Sequence, residues 1–299
     1  MNNIKNRFSI KDLENLTGIK AHTIRIWEKR YNLLEPKRTD TNIRYYDLEN
    51  FQKLLNVSYL NNNGYKISKI ATIDEPQIPV LVKEIAAKSN LDNHAINAFK
   101  LSMLNFDQSL FFKTYASLLE EKDFNEIFYN IFIPLLDEIG LLWQTDTITP
   151  AHEHFLSSLI RQKILINTEK AQMQIKERSK KTFVLFLPEN EIHELGLMFI
   201  NYRLSEKGYH TIFLGQSVPL DSLKDILNYY DDVTYISYFT IHPTKEEVVD
   251  YLHDFENLIM KKSKSQLWVL GKILEDVQHN KLPKGITSFQ NIKNLIDKL

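Results

Sequence analysis

In this chain of 299 residues, the pattern Glu191-x-His193-x-x-Gly196 could do inorganic chemistry. An imidazole offers a nitrogen ligand at neutral pH, and an acid two residues before it can accept the other ring N–H and fix the tautomer. On spacing alone, His193 is either a metal ligand or a surface or capping histidine. The chain has no cysteine, which excludes disulfides, Cys-ligated zinc, iron–sulfur clusters and thiol nucleophiles together. A metal must then arrive on histidine or carboxylate, or inside a prosthetic group. Charge suggests a second chemistry: residues 1–75 carry 13 Lys/Arg against 9 Asp/Glu, whereas the other 224 carry 24 against 29. A basic end on an acidic body suits a phosphate-binding module joined to a domain with other work, although charge also varies by chance along any chain.

The elements that must position these residues fall into three segments. The length exceeds what one ordinary core fills and suggests two or three domains. With 43% hydrophobic and 25% charged residues, each part can bury a core. Ser9 can cap a short helix carrying Leu13 and Leu16, Gly18 makes a turn, and Ala21–Arg30 forms a second helix, which is helix-turn-helix spacing. Pro36-Lys37-Arg38 and Ile43–Tyr46 make a basic hairpin, a wing, followed by helices over Leu48–Asn62 and Ile67–Ile70. Asp74-Glu75-Pro76 and Ile78-Pro79 mark a boundary. Apolar stripes in Val80–Ala87, Ala95–Leu104, Leu110–Leu119, Ile127–Leu142 and Ala151–Ala171 predict a four- or five-helix bundle. From Lys181 the period changes. Strands over Thr182–Leu187, Thr211–Leu214, Thr234–Ser237, Leu267–Leu270 and Ile286–Phe289 alternate with helices over Leu195–Lys207, Leu220–Tyr229 and Lys245–Met260. The expectation is a multidomain α and α/β chain: a winged helix-turn-helix head at 1–75, a helical bundle at 76–177, and a flavodoxin-like doubly wound parallel sheet at 178–299. Such sheets bind ligands at the carboxyl ends of their strands, where the Glu191–Gly196 loop falls.

The first segment resembles the MerR-family DNA-binding head. The resemblance is carried by Thr17-Gly18-Ile19, Thr23-Ile24-Arg25-Ile26-Trp27-Glu28, Leu33–Arg38, Asn42-Ile43-Arg44-Tyr45-Tyr46, and Gly64 followed by Ile67-x-x-Ile70. It implies that Arg25 of the recognition helix and Arg38, Arg44 and Tyr45 of the wing meet double-stranded operator DNA, with His22 and Thr23 near the groove. Arginine can fork onto guanine or phosphate, while hydroxyls hold the backbone in register. Tyr31 stands where many members have glycine, so that turn is expected to differ.

The third segment is similar to the cobalamin-binding domain of methionine synthase and corrinoid-dependent mutases. By that resemblance His193 is the lower cobalt ligand with Glu191 behind it, Gly196 lets the nucleotide tail pass, Ser237 faces the tail, and Gly271 begins a Gly-Gly pair. Glu191 replaces the usual aspartate, and Lys272 replaces the second glycine, where it would either crowd the tail or meet its phosphate. In the bundle, Trp143 is followed after nine residues by Glu153-His154. That spacing resembles the adenosylcobalamin-dependent photoreceptor repressors, which join a MerR head, a bundle and this sheet. There Trp143 packs over an adenosyl group, and Glu153 and His154 line the pocket above the corrin. Light-sensing members carry histidine directly after the tryptophan; here it is Gln144.

The leading expectation is a DNA-binding repressor gated by adenosylcobalamin, open to light control, assembling as a dimer or tetramer of itself. A regulator whose sheet is a cofactor-free interaction module stays open, and an enzyme or methyl carrier is disfavoured because the head leaves no length for a substrate domain. The N-terminus lacks a leader pattern and no stretch nears the ~18 apolar residues of a membrane span, so the expected place is the cytoplasm, without membrane contact.

Overall fold

Ser9 begins the first helix by bonding the backbone of Asp12, whose carboxylate returns a bond to Ser9 N–H. In the computed structural model, which describes residues 7–39, 41–86, 91–145, 147–174, 181–276 and 282–299, the chain divides into two compact units, 1–159 and 160–299.

In the first unit α1 (Ile10–Thr17) ends on Gly18 at φ 73°, and α2 (Ala21–Tyr31) ends on Asn32 at φ 48°. Tyr31 therefore stays helical, and Asn32 takes the left-handed position where asparagine is the tolerated non-glycine residue. A hairpin of β1 (Lys37–Arg38) and β2 (Arg44–Tyr45) pairs antiparallel, and Phe8 bridges Tyr46. Then come α3 (Leu48–Asn62), capped by Asp47, and α4 (Ile67–Ile70). Phe8, Leu13, Ile24, Tyr46, Phe51 and Leu54 form the buried core of this head.

The helices that follow are α5 (Gln77–Ala86), α6 (Leu91–Asn105), α7 (Gln108–Leu118), α8 (Phe124–Ile127), α9 (Ile133–Gln144) and α10 (Pro150–Gln174), with the unit division falling inside α10. Ala87, the last residue of the predicted first stripe, lies outside the described residues. The stripe expected as one helix over Ile127–Leu142 is interrupted by a π turn at Phe128–Phe132, where Ile133 N–H bonds to Phe128 O. Pro134 explains it: it lacks an N–H, its ring would press on the carbonyl four residues back, and the wider turn relieves both. Phe99, Phe111, Phe128 and Phe132 are buried beneath.

Head and bundle meet within this unit along a polar seam. Asn15 Nδ2 donates to Thr147 Oγ1 at 3.0 Å, and buried Lys100 reaches Glu138 at 2.6 Å and the carbonyl of Leu16 at 3.4 Å. A cleft of about 370 Å³ lined by Asn15, Asn62, Asn97, Lys100 and Glu138 lies along it.

The second unit is a five-stranded, wholly parallel sheet in the order β4-β3-β5-β6-β7, with β3 Thr182–Pro188, β4 His210–Val218, β5 Val233–Tyr238, β6 Gln266–Leu270 and β7 Ile286–Phe289. Every residue of β3 is buried, as a strand covered on both faces requires. Helices α11 (Leu195–Glu206), α12 (Val248–Leu258) and α13 (Ile292–Asp297) complete it. The segment predicted as a helix over Leu220–Tyr229 is a 3₁₀ helix, Leu220–Asn228. Its apolar residues Leu220, Leu223 and Ile226 recur every three positions, a period that a three-residue turn keeps on the face packed against the sheet core. Among the described residues no helix is long and apolar enough to cross a membrane.

Asp47 supplies a pH test of the head. Burial would raise its pKa, but the Lys37 ammonium at 2.7 Å and the Asn50 N–H and side-chain amide outweigh that and hold it at about 2. A depressed carboxylate contributes stability above its unfolded pKa of about 3.9 and loses it as pH falls through the folded value. The Asp47→Asn head should therefore melt below wild type at pH 7, and the gap should close as pH falls from about 4 toward 2, followed by circular dichroism.

Candidate functional site

The sheet order turns back between β3 and β5, so the loops after these two strands flank a crevice at their carboxyl ends. Glu191, in the loop after β3, is fully buried. Its Oε1 accepts from Ile192 N–H at 2.9 Å, His193 N–H at 3.0 Å and His193 Nδ1 at 2.6 Å. Its Oε2 accepts from the backbone N–H groups of Thr240 at 3.0 Å, Ile241 at 2.6 Å and His242 at 3.0 Å, all in the loop after β5. Burial would raise the pKa of this acid, but the His193 ring and the N–H groups of Ile241, His242 and His193 overcome it and hold it at about 2. An ionised carboxylate only accepts, so in the neutral form of His193 the proton is on Nδ1 and the lone pair on Nε2. The extra methylene of Glu191 relative to aspartate does not cost the contact. The His193 side chain is 46% exposed.

Around this loop the expected residues divide. Ser237, next to last in β5, is fully buried, and its Oγ has no hydrogen-bond partner among the described residues, which marks it as a group awaiting one. Gly196 lies against Tyr238: a Cβ there would come within 2.9 Å of the ring, so the room expected for a tail at this glycine is occupied by an aromatic side chain. Gly271, after β6, has φ 125°, and a Cβ would lie 2.2 Å from Phe239 O, so the backbone alone requires glycine. Lys272 is exposed. Among the described residues no group of three or more His, Asp or Glu side chains could hold a bare metal ion. A single imidazole of fixed tautomer instead suits a metal that brings its own ring of ligands, and with the unpartnered Ser237 hydroxyl these residues fit a corrinoid.

In the first unit Trp143 is half exposed near the end of α9, and Glu153 and His154 pair with each other in the first turn of α10, with His154 exposed. The Gln144 side chain lies outside the described residues. Phe106 stacks on buried His152 at 4.8 Å and meets Phe155 edge-on at 5.4 Å, so an aromatic cluster adjoins the Glu153-His154 pair. The sequence reading missed Phe106, Tyr238, the Thr240–His242 backbone, and Arg161, which pairs with Glu194 at 3.1 Å. Only an alternating or motif-bearing residue can be found from spacing, and these act through tertiary contact.

In the head, Arg25 and His22 are exposed on α2, and Thr23 Oγ1 contacts His22 Nε2 at 3.3 Å. Glu28 pairs with Arg44 at 3.0 Å and accepts from Tyr46 OH at 2.8 Å, which ties the hairpin to α2 and pushes the Tyr46 phenol upward through burial and that bond. Arg38 closes the hairpin tip on Asn42, and Tyr45 lies beneath the Arg7 guanidinium at 4.8 Å.

Residues 8–75 match the MerR HTH family regulatory protein family, and residues 95–166 match the B12 binding domain family. The HTH-type transcriptional repressor CarH of Myxococcus xanthus is 30% identical over 219 residues, which are 70% of this chain and 70% of that protein. The chain belongs to the MerR family of helix-turn-helix regulators. The HTH-type transcriptional repressor CarA of Myxococcus xanthus is 24% identical over 220 residues, 72% of this chain and 70% of its own length. Among solved structures, the Methanosarcina barkeri monomethylamine corrinoid protein aligns with a TM-score of 0.57 at 11% identity, covering 69% of this chain and 97% of that one, a likeness of fold. The B12 binding domain match thus falls on the helical bundle behind the head, whereas the cobalamin-binding domain expected from the residues is the sheet at 178–299.

The Gly271 geometry makes a prediction independent of any ligand. Gly271→Ala should destabilise the protein by about 2 kcal/mol or more, because the methyl meets backbone atoms that cannot move aside. A melting temperature equal to wild type would contradict it.

Proposed function

We propose that this chain is a cobalamin-responsive transcriptional repressor whose cofactor is adenosylcobalamin. The observation that carries the reading is the tautomer lock on His193 by a buried, ionised Glu191, in a chain that joins a MerR head to a B12 binding domain. His193 would supply a nitrogen ligand to the cobalt and Ser237 a hydroxyl to the cofactor, while Gly196 and Gly271 shape the neighbouring backbone. Trp143, Glu153 and His154 would contact the adenosyl group of the bound cofactor. When bound, the cofactor supplies a light-sensitive cobalt–carbon bond. The work of the protein is to sense which group occupies the space by Trp143 and to convert it into self-association as a dimer or tetramer. Assembly presents several heads to one operator and raises affinity through effective concentration without new contacts. Arg25, His22 and Thr23 approach base edges, while Arg38, Arg44 and Tyr45 of the wing hold the backbone; the partner is DNA, which sets the work in the cytoplasm. The chain acts as a regulator and not as an enzyme, in keeping with its repressor relatives.

Two experiments test this. Mixed with adenosylcobalamin in the dark, the wild type should give a histidine-ligated absorbance spectrum and a larger mass by light scattering, and illumination should reduce that mass. His193→Ala should lose the spectrum; a wild-type spectrum in that variant would remove the ligand, and equal masses in dark and light would remove light-gated assembly.

Arg25→Ala should weaken operator binding by about 1–3 kcal/mol in a gel-shift titration at fixed salt, the cost of a lost bidentate base contact. Arg25 is exposed and has no ion pair among the described residues, whereas Arg44 is already held by Glu28. Unchanged affinity would take Arg25 out of the interface.

A further inference from the structure

His193 is followed directly by Glu194, whose side chain is about nine-tenths buried where α11 begins. A carboxylate withdrawn from water is costly unless it is paired. Its ion-pair partner is Arg161, reaching from α10 at 3.1 Å, and the Arg161 Nε is itself buried without a hydrogen-bond partner among the described residues. The Glu194 backbone is held as well: its N–H donates to Ile192 O at 2.9 Å, and its carbonyl accepts the Met198 N–H at 2.8 Å to start α11. The segment from 191 to 194 is therefore anchored at both ends by buried carboxylates. Glu191 grips the loop after β5, Glu194 grips α10, and the imidazole lies between them.

We infer that Arg161 and Glu194 are positioning residues for His193: the ion pair sets where α11 starts and so how the imidazole backbone is held. This rests on the reading of His193 as the cobalt ligand. Glu191 orients the ring but is joined to the same loop, so it cannot by itself stop the loop moving as a body with the segment after β5. The second anchor comes from a different element. A planar guanidinium also resists replacement by lysine, whose point charge would satisfy the carboxylate without the same geometry. A carboxylate at the N-cap of α11 is further favoured by the helix dipole, which orients the pair with the charge toward the helix start.

The test uses Glu194→Gln, Arg161→Ala, Arg161→Lys and the double variant Arg161→Ala/Glu194→Gln, with His193→Ala as control. In the full chain without cofactor, amide hydrogen exchange at Ile192–Glu194 should accelerate about tenfold or more in Glu194→Gln and Arg161→Ala, while the amides of β3 and β5 keep wild-type rates. With cobalamin, the same variants should bind about 10- to 100-fold more weakly, the range for losing a group behind a metal ligand, and show a diminished histidine-ligated spectrum. Arg161→Lys should recover part of both effects, and the double variant should be no worse than the weaker single one. If Arg161→Ala fails to fold, the near-isosteric Glu194→Gln carries the test. Folded variants with wild-type exchange at 192–194 and wild-type affinity overturn the inference. If His193→Ala alone keeps the wild-type spectrum, the ligand reading fails, and the exchange rates measured without cofactor still decide whether the pair positions the loop.

Discussion

One buried carboxylate organises the sheet end of this protein. Glu191 takes six hydrogen bonds, three from its own loop and three from the loop after β5, and so holds two otherwise separate connections in one arrangement. Burying an unpaired charge would be prohibitive, so the acid can sit there only if nearly all its lone pairs are satisfied at once. That requirement is what makes it useful. Any loop movement large enough to release His193 must also strip acceptors from donors in the loop after β5. The orientation of the imidazole is thereby tied to the positions of Thr240, Ile241 and His242.

The head uses the same device. Glu28 binds both the Arg44 guanidinium and the Tyr46 hydroxyl, so the hairpin and α2 move as one body. A wing that carries arginines toward phosphate gains little if it flexes independently of the helix that reads bases. With no cysteine in the chain, cross-links of this kind have to be made from hydrogen-bonded carboxylates. The seam between head and bundle is built differently: among the described residues it includes the Asn15–Thr147 bond, the reach of Lys100 to the Leu16 carbonyl and the edge-on contact of Tyr59 with His94, beside a polar cleft. Thr147, the acceptor for Asn15, lies between Trp143 and Glu153 in sequence, which places the fastener of the head in the connection between α9 and α10.

Much of this was legible in the residues. The Ser9 cap, the Gly18 turn, the helices Leu48–Asn62 and Ile67–Ile70, and each of the five strands follow from local patterns whose physics acts within a few residues. The Glu191-x-His193 contact was legible for the same reason, since two residues in one loop cannot escape each other. The interruption at Phe128–Phe132 and the 3₁₀ run at Leu220–Asn228 were harder, because they depend on where a proline clashes and which apolar period meets a neighbouring surface.

By itself the sequence determined the class of each segment, the family of the head, and the identity of the imidazole at the end of the sheet, because composition, period and motif spacing are properties of contiguous chain. Only the tertiary structure decided which groups hold that imidazole. The Thr240–His242 amides lie about fifty residues from Glu191 in sequence, Arg161 lies more than thirty before Glu194, and Tyr238 reaches Gly196 from another strand. These partners carry no shared spacing or motif, and what joins them is the parallel sheet, whose crossovers bring distant loops to one edge where a buried charge must find its donors.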